Sequence, residues 1–243
     1  MFPNSIVNIK ENLQRVQDRI AQAALKVGRS PEEVTLVAVS KKQSPEKIRM
    51  AVDAGASVFG ENYVQEAQEK ISFLGRTEQS DHDMVFFPCL WHFIGHLQSN
   101  KAKFVVPLFT MIHTVDSLDL ARIISQRAGM EGKTQQMLIQ VNVAEEESKS
   151  GTSTEEALEL AEKVSELPHI SLEGLMTVPP FLDDPDQVRP YFIRLRDLRD
   201  HLNQYLPRPL RHLSMGMSND FEVAIEEGAT LVRVGSAIFG PRA

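Results

Sequence analysis

The chain has 243 residues, 42% of them hydrophobic and 24% charged, a formal net charge of −7, and one cysteine, Cys89. That length suits one large α/β domain with a substantial core, so a single domain over 1–243 is expected. The negative charge argues against nucleic acid as a partner, the lack of any apolar run near the roughly 20 residues of a membrane span argues against a membrane, and a lone cysteine leaves no internal disulfide or Cys-cluster zinc site; a cytoplasmic location is expected.

An amphipathic run over 6–27 opens the pattern, with Ile6, Ile9, Leu13, Val16, Ile20, Ala24 and Val27 at helical spacing. Short β-branched runs then alternate with helical ones. Strands are predicted at 34–40, 58–61, 92–95, 111–115, 137–143, 171–177, 212–215 and 231–235. Ser44-Pro45 places a helix cap and a first-turn proline, and Ser153-Thr154-Glu155-Glu156 is a capping box before a helix over 157–167. Asn219-Asp220-Phe221-Glu222 repeats the box before 223–227, while Gly55, Gly129 and Gly228 fall where helices should stop. The stretch 75–88, polar then aromatic, reads as a long surface loop. Eight strands alternating with helices in about 250 residues are the element count of a (β/α)8 TIM barrel, with a doubly wound sheet as the rival. Only 237–243 follows the last strand, so the helix over 6–27 is expected to stand in for an eighth barrel helix.

The site of such a barrel lies at the carboxyl ends of its strands. The first ends in Val39-Ser40-Lys41-Lys42. A lysine there can be desolvated and attack a carbonyl, or can lie solvated in a loop. By the two-residue period, Lys41 shares a face with Val37 and Val39, and Lys42 points the other way. Further along, Asn62 can orient a ligand, Glu61 can pair with a lysine or cap a helix, and Asn142 and Thr177 end strands five and six. Ser214 can donate to a phosphate or serve as a cap, and Ser218 is expected to cap the next helix. Arg233 stands inside an apolar strand and is followed by Val234-Gly235-Ser236. A buried guanidinium needs acceptors, and Gly-Ser opening a short helix offers backbone N–H groups to an anion; a small phosphorylated ligand is implied. His92 and His96 read as strand residues, with no metal expected, and His82, His113, His169, His201 and His212 are isolated.

Taken together, these segments resemble the pyridoxal phosphate homeostasis protein family, the YggS-type proteins. The resemblance runs from about residue 6 to residue 241, through Val37-Ala38-Val39-Ser40-Lys41, Phe59-Gly60-Glu61-Asn62-Tyr63, the run 91–101 from Trp91-His92-Phe93, Ser148-Lys149-Ser150-Gly151, Gly174-Leu175-Met176, Leu213-Ser214-Met215-Gly216-Met217-Ser218 and the run 232–240. It departs in Pro45, one position later than usual after the lysine, and in the longer 75–88 loop. The resemblance implies a barrel similar to the N-terminal domain of alanine racemase, holding pyridoxal 5′-phosphate (PLP) as a Schiff base on Lys41. It implies Ser214, Gly235 and Ser236 at the phosphate, Arg233 at the pyridine nitrogen, and Asn62 and Met215 as further cofactor-binding residues. An arginine at that nitrogen leaves PLP a weak electron sink, and alanine racemase takes its opposing acid–base group from a C-terminal domain that this chain is expected to lack. The implied role is PLP homeostasis as a monomeric carrier or buffer without catalytic residues, with apo PLP-dependent enzymes as candidate partners. The rivals are a slow amino-acid racemase using Tyr63 or His92, and a Schiff-base aldolase without PLP.

Overall fold

The computed structural model describes residues 7–76, 89–146 and 149–241. Eight parallel strands close in chain order into a barrel: β1 (Thr35–Val39), β2 (Val58–Glu61), β3 (Leu90–Phe93), β4 (Met111–Val115), β5 (Gln135–Gln140), β6 (Ile170–Met176), β7 (His212–Ser214) and β8 (Leu231–Val234). Strand β8 pairs back onto β1, with Thr35 opposite Leu231 and Val37 opposite Arg233. The (β/α)8 expectation holds, and the doubly wound sheet is excluded by this closure. Each predicted strand is present with ends shifted by at most three residues. The largest shift is at β5, where Val141 bridges to Thr152 and Asn142 closes a local turn on Glu146 instead of extending the ladder.

Helices surround the barrel: α1 (Ile9–Lys26), α2 (Pro45–Asp53), α3 (Val64–Arg76), α4 (Ala102–Val105), α5 (Leu118–Met130), α6 (Ala157–Ser165), α7 (Arg189–Leu202), α8 (Phe221–Glu226) and α9 (Ser236–Phe239). No described helix is long and apolar enough to cross a membrane. Helix α1 buries Ile9, Leu13, Val16, Ile20, Ala23 and Ala24, the stripe its spacing predicts, and packs against α2, α8 and α9. Asn12 Nδ2 donates to Ile238 O at 3.0 Å, Arg19 Nε to Glu222 Oε1 at 2.6 Å, and Arg29 to Ile225 O at 2.8 Å. The helix therefore closes the gap that a helix after β8 would fill. Ile6 lies outside the described residues, and Val27 is the exposed residue that ends the helix.

Three local expectations are corrected. Gly129 lies inside α5, and Gly132, at φ +64°, takes the left-handed position past its end. Asp220 precedes α8 but does not cap it, because its carboxylate turns back to accept Met217 N–H at 2.6 Å. The expected 75–88 loop begins as helix, since Gly75 and Arg76 end α3; residues 77–88 lie outside the described residues, as do Glu147 and Ser148. Ser44 and Pro45 do open α2, although Ser44 makes no side-chain cap bond. Ser153 Oγ accepts Glu156 N–H at 3.2 Å ahead of α6.

The main core lies between the barrel and its helices and includes Phe59, Phe109, Phe192, Phe221 and Phe239. A second, smaller cluster fills the barrel itself: Val37, Val58, Met111, Leu138, Met176 and Leu231. Two residues beyond Met111 and Leu231, on the same inward face by strand periodicity, come His113 and Arg233. The floor of the barrel is thus apolar and the next layer towards its carboxyl mouth is polar.

Leu13→Ala should lower unfolding stability in urea by about 3 kcal/mol, as for other fully buried leucines. A loss below about 1 kcal/mol would mean that α1 is not integral to the barrel wall.

Candidate functional site

A cavity of about 520 Å³ opens at the carboxyl mouth of the barrel. Five of the seven residues singled out in the sequence line it: Lys41, Asn62, Arg233, Gly235 and Ser236. They arrive from the loops after β1, β2 and β8, which the closed barrel brings together at one end. A side chain at Gly235 would press on Val39 at 3.2 Å, so glycine lets the β8 turn sit against β1 close to Lys41. Asn62, in the cavity wall, has its Oδ1 buried without a hydrogen-bond partner among the described residues.

Ser214 and Met215 are placed differently. Met215 is fully buried in the hydrophobic core. Ser214 is fully buried too, and its hydroxyl is committed: it accepts from Arg233 at 2.5 Å and lies 2.9 Å from His113 Nδ1. It supports the guanidinium from within the barrel and does not line the cavity. Ser218, expected as a helix cap, instead accepts Gly235 N–H at 3.3 Å and Ala237 N–H at 3.5 Å, tying the β7 loop to the β8 turn. Sequence reasoning did not anticipate Met217, Asn219, Asp220, Val178 or Phe181 in the cavity wall. Gly216, at φ +91° and pressed against Ala224, is the signal of a sharp turn after β7 that carries 217–220 over the mouth.

Arg233 is 5% exposed and gives two of its five N–H donors to protein, one to Ser214 and one to Thr177 O at 2.8 Å. Burial lowers its pKa to about 10, with Asp220 opposing, so it remains a cation at neutral pH. Burial also raises the Asp220 pKa, against the pull of Met217 N–H and Arg233. Arg233 can only donate, so Ser214 Oγ accepts from it. His113 Nδ1 lies 2.9 Å from that oxygen and His113 Nε2 lies 3.0 Å from His92 Nδ1, so the four side chains form one hydrogen-bonded chain. Both imidazoles are neutral: burial lowers His92 to about 4 and His113 well below its ordinary value, helped in His113 by His92 and Arg233. The sequence had treated His113 as isolated, because its partners meet only across the barrel interior.

Behind the cavity wall lies a second polar group. Glu61, at the end of β2, pairs with Lys70 of α3 at 2.6 Å and accepts the Ser40 hydroxyl at 2.6 Å. Of the two roles open to Glu61, it takes the lysine pair. Burial pushes its pKa up while Lys70 and Ser40 pull it down.

The family described as "Alanine racemase, N-terminal domain" matches residues 7–243. The pyridoxal phosphate homeostasis protein of Aquifex aeolicus (strain VF5) is 46% identical over 236 residues, covering 97% of this chain and 99% of the relative. That of Escherichia coli (strain K12) is 41% identical over 244 residues, with 97% of each chain covered. The structure of PipY from Synechococcus elongatus PCC7942, solved with PLP bound, superposes with a TM-score of 0.80 at 34% identity, covering 96% of this chain and all of that one.

The neutral histidines give the fold a pH dependence. Folding holds His92 at about 4, below its ordinary 6.5, so between these values unfolded chains bind the extra proton. Stability therefore falls as pH drops through that window and is nearly unaffected by His92 above pH 7. Between pH 7 and pH 5, wild type should lose about 2 kcal/mol more urea stability than His92→Gln. Equal losses would show that the imidazole is charged in the folded protein.

Proposed function

Since the chain belongs to the family of pyridoxal phosphate homeostasis proteins, built on the alanine racemase N-terminal domain, we propose that it binds PLP at the barrel mouth and acts in PLP homeostasis. The observation that carries this reading is Arg233. It is a buried cation in the cavity wall, with donors to spare and no described carboxylate bonded to it, facing a cavity that Lys41 also lines. The wall fits the cofactor. It offers a lysine amine, a guanidinium that can donate but not accept, the hydroxyls of Ser218 and Ser236, and Asn62 Oδ1, which has no partner among the described residues.

When bound, PLP supplies an aldehyde that condenses with a lysine amine with loss of one water, a phosphate, and a ring nitrogen that accepts a hydrogen bond. In this reading Lys41 Nζ takes the aldehyde carbon. Arg233 donates to the ring nitrogen and, staying charged at neutral pH, does not give that nitrogen a proton. Gly235 and Ser236 hold the phosphate with the Ser218 hydroxyl beside them. Ser214 acts one step back, holding the guanidinium in place, and Met215 contributes by packing the strand end.

A carrier fits better than a racemase. Arginine opposite the ring nitrogen weakens the electron pull that carbanion chemistry needs. Racemisation also needs a second acid–base group at the cofactor. His92 is bonded to His113 inside the barrel, Tyr63 is half exposed and outside the cavity wall, and the Asp220 carboxylate is bonded to Met217 N–H. Apo PLP-dependent enzymes are the recipients this reading implies.

PLP-loaded protein should absorb visible light and, after borohydride reduction, carry the label on Lys41; Lys41→Ala should lose both. A colourless protein, or label elsewhere, overturns the assignment. Loaded protein should exchange the α-hydrogen of common amino acids with deuterated water far more slowly than about 1 per second, an ordinary enzymatic rate. Sustained exchange at that rate, lost in Lys41→Ala, would establish an enzyme.

A further inference from the structure

Two consecutive lysines, Lys41 and Lys42, follow β1, and only Lys41 lines the cavity while Lys42 is exposed. Strand alternation cannot enforce that choice, because β1 ends at Val39 and its side-chain period ends with it. Residues 40–43 form a turn, with Gln43 N–H donating to Ser40 O at 3.0 Å. Lys42 sits at φ +59°, a left-handed backbone that a side-chain-bearing residue keeps only when its surroundings impose it.

Those surroundings converge on one buried ammonium. Lys70 is 3% exposed, and its three donors go to Ser40 O at 2.7 Å, Glu61 Oε1 at 2.6 Å and Glu66 Oε2 at 3.2 Å. Ser40 is held a second time, by its hydroxyl on Glu61 Oε1 at 2.6 Å. Glu66 Oε2 also accepts Lys42 N–H at 2.7 Å. The residue before Lys41 and the residue after it are thus fastened to the same cation, one directly and one through Glu66. We propose that Lys70, with Glu61 and Glu66, is a positioning device that selects Lys41 over Lys42 as the lysine joined to PLP. A buried ion cluster is a costly way to gain stability alone, and its retention here is explained by the backbone orientation it fixes.

This inference rests on the reading that PLP is carried by Lys41, and its test separates the two. PLP-loaded wild type, Lys70→Met, Lys70→Arg and Glu66→Ala are reduced with borohydride, which adds hydride to carbon while water protonates the nitrogen. Peptide mapping then gives the ratio of label on Lys41 to label on Lys42. In Lys70→Met, which removes all three Lys70 bonds, the ratio should fall by at least about tenfold from the wild-type value, the effect of losing even one charge-assisted hydrogen bond, and Lys70→Arg should largely restore it. Should Lys70→Met fail to fold, Glu66→Ala carries the test. It leaves the buried Glu61–Lys70 pair in place, removes only the partly exposed carboxylate, and should move label to Lys42. Folded variants that keep the wild-type ratio overturn the positioning role. Wild-type label on a lysine other than Lys41 overturns instead the assignment of the cofactor.

Discussion

Arg233 carries a charge that a barrel interior cannot solvate, and its surroundings are arranged to meet that demand. Thr177 O and Ser214 Oγ accept from it, and His113 and His92 extend the hydrogen-bonded chain away from it. Burial disfavours a charged imidazole in so dry a place, and at His113 the charges of His92 and Arg233 add to that effect, so both imidazoles stay neutral. What the strands do not satisfy is turned towards the cavity, where a ligand acceptor can complete the set. The same group that makes the interior expensive also lines the cavity at the mouth.

The barrel was legible in the sequence for a simple reason. Most strands are short, mainly apolar runs set apart by helical spacing, so local patterns and closed topology agree. The stripe of α1 was legible in the same way. Lys41, Arg233, Gly235 and Ser236 could be placed because barrel sites gather at strand ends, a rule that needs only the strand count. The misreadings share a different cause. Ser214, Ser218 and Asp220 are residues whose local chemistry suggests caps or anion donors; Ser214 and Ser218 are claimed by partners 19 and 17 positions on, and Asp220 by the sharp turn that brings Met217 N–H back to it. The His92–His113 pair depends on which strands adjoin and at what register, and no spacing in the sequence reports that.

Lys70 illustrates the same limit from the other side. On sequence it is one more charged residue on an amphipathic helix, and such residues are mostly solvated. Only the docking of α3 over the ends of β1 and β2 turns it inward, where two carboxylates and a carbonyl surround it. The polar interior at Arg233 and the polar cluster behind Lys41 thus bracket the cavity from its two sides. One places a guanidinium in the cavity wall, and the other fixes the backbone on either side of Lys41. Neither cluster contributes to the apolar core, and both are maintained at the cost of desolvation.

The contacts of α1 also bear on how the molecule comes into being. Its side-chain bonds to α8 and α9 reach partners 200 to 226 positions away along the chain, so its docking closes one of the longest loops the chain can form. Loop closure on that scale is slow and entropically late. On the ribosome Lys41 emerges long before Arg233, Gly235 and Ser236, and the final barrel seam between β8 and β1 cannot zip until those residues are released. The amine therefore exists for most of synthesis without the β8 residues that share its cavity, and the cavity wall is complete only once the end of the chain has been released.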